Sequence, residues 1–154
     1  MGLDTTHDCW HGAYSAFMHW RKKLAEVAGL PPLELMEGFY YHDEIGTLQA
    51  VRRSLGSGPL DFLAESIDEL ERSLPILWDR LKPDVLHELL SHSDCDGELA
   101  PGICGPLADR LEELLPLLPD ENQGGHIGHW RDTTQAFIDG LRVAAAANEP
   151  VGFH

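Results

Sequence analysis

Thr5-Thr6-His7-Asp8-Cys9-Trp10-His11-Gly12-Ala13-Tyr14-Ser15-Ala16-Phe17-Met18-His19-Trp20-Arg21-Lys22-Lys23-Leu24-Ala25-Glu26-Val27-Ala28-Gly29 is the stretch on which the fold class turns. Thr5 is a good helix N-cap, and Asp8 three residues on completes a capping box. Trp10, Tyr14, Phe17, Leu24 and Ala28 recur at helical spacing and make one apolar stripe. Gly29 and Pro31-Pro32 stop the run. The stretch predicts one long helix.

Working outward, the same spacing of three and four recurs. Helices are expected at about 45–55, from Pro59 through Leu74, and from Pro83 through Leu90. Another is outlined by Ile103, Leu107, Leu111, Leu114 and Leu115. The last carries Trp130, Phe137, Ile138 and Leu141, with Asn148 as its C-cap. Residues 30–44 are irregular, with Phe39-Tyr40-Tyr41 as a packing cluster, and the tail 149–154 is short and extended. Alternating patterns are scarce. The expected fold is therefore all-α: a single domain over 1–154, of about five to seven helices.

With 26 acids and 11 bases, the formal net charge is -15. Such a chain repels nucleic acid and anionic membrane unless its bases cluster, and Arg21-Lys22-Lys23 is the only run of three. A basic protein partner or a metal ion is easier to accommodate. Cys9, Cys95 and Cys104 are odd in number and form no CxxC, so a reduced, cytoplasmic setting is expected. No apolar run is long enough to span a membrane. No secretion signal is visible, and the myristoylation-like Met1–Thr6 lacks a second anchoring feature.

The sequence contains no GxGxxG, P-loop or GxSxG, which lowers the prior for the corresponding enzymes. His87-Glu88-Leu89-Leu90-Ser91-His92 imitates HExxH but spaces its histidines five apart, about 140° around a helix, so the rings diverge. The turn His92-Ser93-Asp94-Cys95-Asp96-Gly97-Glu98 has part of an EF-hand loop. It lacks the first aspartate and the final bidentate glutamate, where His92 and Ile103 stand. Its plain reading is an Asx-rich turn with Gly97 at positive φ. A non-EF site of imidazole and carboxylate ligands is the alternative.

On a helix, His7 and His11 would share a face and could chelate one ion. Packing beside Trp10 and Tyr14 is the plainer alternative. His126 and His129 form a second pair one turn apart. His154 brings an imidazole to the chain end, where fraying is usual. His42-Asp43-Glu44 reads as solvated loop. Cys9, between two histidines, reads as a buried structural thiol rather than a nucleophile. Asp109, Glu112 and Glu113 read as the solvated face of an amphipathic helix.

The opening Gly2–Asp8 and His11–Phe17, the turn 92–98 and the ending Glu149-Pro150-Val151-Gly152-Phe153-His154 resemble small uncharacterised proteins of bacterial and phage genomes. That resemblance implies no activity; it groups His7, His11, Asp94, Asp96 and His154. The resulting expectation is a cytoplasmic, metal-binding accessory or binding protein, those five residues holding zinc ahead of manganese, iron or calcium. The alternatives are a small metal-dependent hydrolase using the same ligands, and an acidic inhibitor, immunity-type or nucleic-acid-mimic protein.

Overall fold

The computed structural model of the chain describes residues 2–39 and 75–154. Expected helices at 45–55 and 59–74, Tyr40-Tyr41 of the aromatic cluster and the cluster His42-Asp43-Glu44 lie outside the described residues. In chain order the elements are β1 (Gly2–Asp4), β2 (His11–Ala13), α1 (Tyr14–Val27), α2 (His87–Leu90), β3 (Glu98–Leu99), α3 (Pro101–Leu114), α4 (Trp130–Ala147) and β4 (Val151–Gly152). Short 3-10 turns stand at Thr6–Asp8, Leu33–Leu35, Trp78–Leu81 and Leu115–Leu117.

The all-α expectation of five to seven helices is thus corrected. The described residues combine four α-helices with two small antiparallel sheets, β1-β2 and β3-β4. The deciding stretch is where the expectation breaks. His7 and Asp8 sit at φ 61° and 56°, a left-handed conformation that no α-helix propagates. Thr5 caps no helix; it closes a loop instead. The Trp10 amide donates to Thr5 Oγ1 at 2.8 Å, and the Thr5 amide donates to the Trp10 carbonyl at 3.1 Å. Residues 2–4 and 11–13 are then free to pair, with Leu3 opposite Gly12 and Asp4 opposite His11. Only from Tyr14 does the predicted helix run, to end at Gly29 with φ 71°.

Two later helices follow the apolar spacing closely, whereas the helix expected from Pro83 through Leu90 is α-helical only over His87–Leu90. α3 buries Cys104, Leu107, Ala108, Leu111 and Leu114, and α4 buries Trp130, Thr134, Phe137, Ile138, Leu141 and Ala144. Asn148 closes α4 in the left-handed conformation, its amide reaching the Ala144 and Ala145 carbonyls. α1 lies on this pair through Trp20. Its ring stacks on Trp10 at 5.4 Å and meets Phe137 at 4.9 Å, and its indole N–H donates to Thr134 Oγ1 at 3.0 Å. A buried tryptophan must satisfy that N–H, so Thr134 fixes how α1 seats on α4. Gly140 lets the loop before β2 press onto α4. A Cβ there would meet Cys9 Sγ at 2.4 Å and the His7 carbonyl at 2.6 Å.

No helix among the described residues is long and apolar enough to cross a membrane.

Candidate functional site

The chain ends and the 92–98 turn meet. The Asp4 and His154 backbones exchange two hydrogen bonds of 2.9 Å, and the Phe153 amide donates to the Gly97 carbonyl at 2.9 Å. The Gly152 amide donates to Thr6 Oγ1 at 2.9 Å. With β1-β2 on one side and β3-β4 on the other, these bonds stitch four short segments into one ribbon. Phe153 anchors it in the core against Phe17, and the His92 ring lies 4.0 Å from the Phe153 ring. The three segments grouped in the sequence are therefore neighbours, with His154 tied by its backbone rather than frayed.

Their side chains have separate partners. His7 is not on a helix. Its Nδ1 bonds the Thr6 hydroxyl at 2.8 Å, and its Nε2 lies 3.9 Å from Glu149. His11 projects from β2 into solvent and bonds Asp4 across the strands. The shared helical face expected of His7 and His11 is absent, because His11 stands on a strand. Asp94 pairs with Arg21, while Asp96 and His154 are exposed. Among the described residues, no three His, Cys, Asp or Glu side chains converge on one point.

Arg21 is the residue that sequence reading undervalued. It belongs to the basic run Arg21-Lys22-Lys23, yet its side chain is fully buried. The guanidinium donates to the carbonyls of Leu90 at 3.1 Å and His92 at 2.7 Å, more distantly to that of Leu89, and pairs with Asp94. It also lies over the Phe17 ring, 4.5 Å from the centroid. A cation thus caps the C-terminus of α2 and fixes the turn that follows. Burial pulls the Arg21 pKa below the usual guanidinium value, and Asp94 opposes that shift. The neighbouring lysines are also engaged, Lys22 with Glu34 and Lys23 with Glu26.

A surface recess of about 360 Å³ opens beside the ribbon, lined by β1, β2 and His126. Asp4 hydrogen-bonds His11 and so raises its pKa; the carboxylate's charge adds to the effect. His126 packs on Gly12, where a Cβ would lie 3.0 Å from both His126 Cβ and Nδ1. Spacing alone pairs His126 with His129 instead. The available signal was Gly12, since an isolated glycine in a strand often marks a close approach.

All three cysteines are free, with Cys9 and Cys104 buried and Cys95 exposed. Burial pushes the Cys9 pKa up to about 12, and burial also raises that of Cys104. Thiolates are the reactive species, so Cys9 is a structural thiol. A disulfide-exchange reagent at neutral pH is expected to label Cys95 alone in the folded protein, and all three after denaturation. Rapid labelling of Cys9 under native conditions would contradict this assignment.

Comparison with protein-family models, with curated proteins and with solved structures found no match.

Proposed function

We propose that this chain is a binding protein whose acidic surface docks a basic protein partner. The observation that supports this is the placement of its cations. Arg21, Lys22, Lys23, Lys82, Arg110 and Arg142 each pair with an acid of the same chain. Arg131 donates to the Leu118 carbonyl at 2.9 Å. Cations held in this way leave the acidic surplus to set the field at the surface. Asp8, Asp96, Glu98, Asp132 and Asp139 are all exposed.

A groove of about 470 Å³ between residues 83–85 and α3 shows the same internal pairing. Its two acids on α3 are already paired within the chain, Asp109 with Arg142 and Glu113 with Arg110. Its cation, Arg110, is already clamped by Asp84 through three hydrogen bonds of 3.0 to 3.2 Å. An acidic inhibitor or immunity-type protein is one form of this reading. Nothing among the described residues favours a hydrolase over it.

The test is capture from a lysate on immobilised, tag-free protein at low salt. The proteins retained are expected to be basic, and to be lost when the exposed Asp96, Glu98, Asp132 and Asp139 carboxylates are converted to lysine. Retention of neutral or acidic proteins, undisturbed by that change, would count against the reading.

A further inference from the structure

The ribbon runs in the order β2, β1, chain end, β3, so β2 and β3 are its outer strands. Along an antiparallel pair, residues whose backbone groups face the neighbouring strand alternate with residues whose groups face away. The Phe153 amide donates to the Gly97 carbonyl, so Gly97 faces the chain end and Glu98, the next residue, faces outward. Gly152, opposite Glu98, agrees: its amide turns away from β3 to reach Thr6 Oγ1. Glu98 therefore presents its N–H and C=O at the outer edge of β3, and neither has a backbone partner among the described residues. The same alternation turns the Ala100 amide outward, while the Ala100 carbonyl is taken by the Ile103 amide at 2.9 Å. Asp96, Gly97, Glu98 and Ala100 are all exposed. Neither Asp96 nor Glu98 pairs with a cation among the described residues. The β2 edge differs, because its nearby acid, Asp4, already bonds His11.

We propose that the outer edge of β3 pairs with an extended basic segment of the partner protein, which adds one more antiparallel strand to the ribbon. This rests on the basic-partner reading and names the form in which that partner is held. A residue opposite Glu98 exchanges both backbone hydrogen bonds with it, and the two side chains stand together on one face. Lysine or arginine at that position meets the Glu98 carboxylate. The residue two before it accepts from the Ala100 amide, and the residue two after it lies beside Asp96. The segment recognised is therefore extended, with lysine or arginine at alternate positions. Main-chain bonds set its register, and the two acids select its charge. A second copy of this chain is a poor occupant, since its own edge would set like charges across the pair.

The probe is a blocked five-residue peptide alternating lysine and threonine, titrated to millimolar concentration into the full chain and read by nuclear magnetic resonance. The buffer holds about 0.15 M salt, where charges more than about 8 Å apart are largely screened. Amide shifts are expected at residues 96–100, with new protection of the Glu98 amide from hydrogen exchange. Methylating the lysine backbone nitrogens keeps the charge but removes the donors that face Glu98, and should abolish binding. Methylating the threonine nitrogens, which face away, should leave it. Asp96→Lys with Glu98→Lys should weaken binding by about tenfold, as two cross-strand pairs turn from attractive to repulsive. Asp132→Lys with Asp139→Lys makes the same change of charge on α4 and should have little effect. Equal binding of the two methylated peptides, shifts centred away from 96–100, or no shift at millimolar peptide would overturn the proposal. Equal weakening by the two charge reversals would also overturn it, while leaving a diffuse basic-partner reading intact. That reading fails separately, when the lysate capture retains no basic protein.

Discussion

Arg21→Ala is expected to lower the unfolding free energy by about 3 kcal/mol, the lower end of the range for breaking a buried ion pair, because Asp94 is about a third exposed. Small domains are stable by only about 5–15 kcal/mol, so this single change takes a large share of the margin. The loss comes from several groups at once. The carbonyls of Leu90 and His92 lose their donor at the end of α2, and the Asp94 carboxylate loses its counterion. Phe17 loses the cation above its ring. Arg21→Lys should recover little, because one ammonium cannot reproduce the planar fork that serves separate carbonyls and a carboxylate. Chemical denaturation read by circular dichroism measures this directly. An unchanged midpoint for Arg21→Ala would mean that the guanidinium does not organise the turn.

Gly140→Ala pits two effects of known size against each other. In an exposed helix interior the change stabilises by about 1 kcal/mol, since glycine is the poorer helix former. Here the new methyl would lie 2.4 Å from Cys9 Sγ and 2.6 Å from the His7 carbonyl. Overpacking of this kind costs about 1–3 kcal/mol or more, and backbone is the harder neighbour to move. The net result is expected to be destabilising, with a fall of about 2–4 °C in melting temperature per kcal/mol. Adding Cys9→Ala should restore part of the loss, because the sulfur clash goes while the carbonyl clash stays. A rise in melting temperature on Gly140→Ala alone would show that the loop at 7–9 does not press on α4 as described.

These two positions also show what could be read without coordinates. α3, α4 and most of α1 follow from apolar spacing, and the stops at Gly29 and Asn148 from their conformational habits. The ribbon could not be read in this way. Its strands are two or three residues long, too short to display alternation, and β4 pairs with β3 from some fifty residues along the chain. His7 and Asp8 adopt positive φ without being glycine, so the capping-box signal at Thr5 outvoted a break that nothing in the sequence marks. Local pattern gave Asp94 to a turn or a metal; its role depends on Arg21, which is 73 residues away. Spacing pairs His126 with His129, whereas the tertiary fold places it on Gly12.

The central functional claim is that charge drives association, and the most direct measurement is the affinity of the captured partner as a function of ionic strength. Between about 0.1 M and about 1 M salt the screening length falls from about 10 Å to about 3 Å. Affinity is expected to drop steeply over that interval, mainly through slower association, as for electrostatically steered encounter. Affinity that stays constant across the same interval would contradict it, since an interface built on apolar contact alone does not weaken when charges are screened.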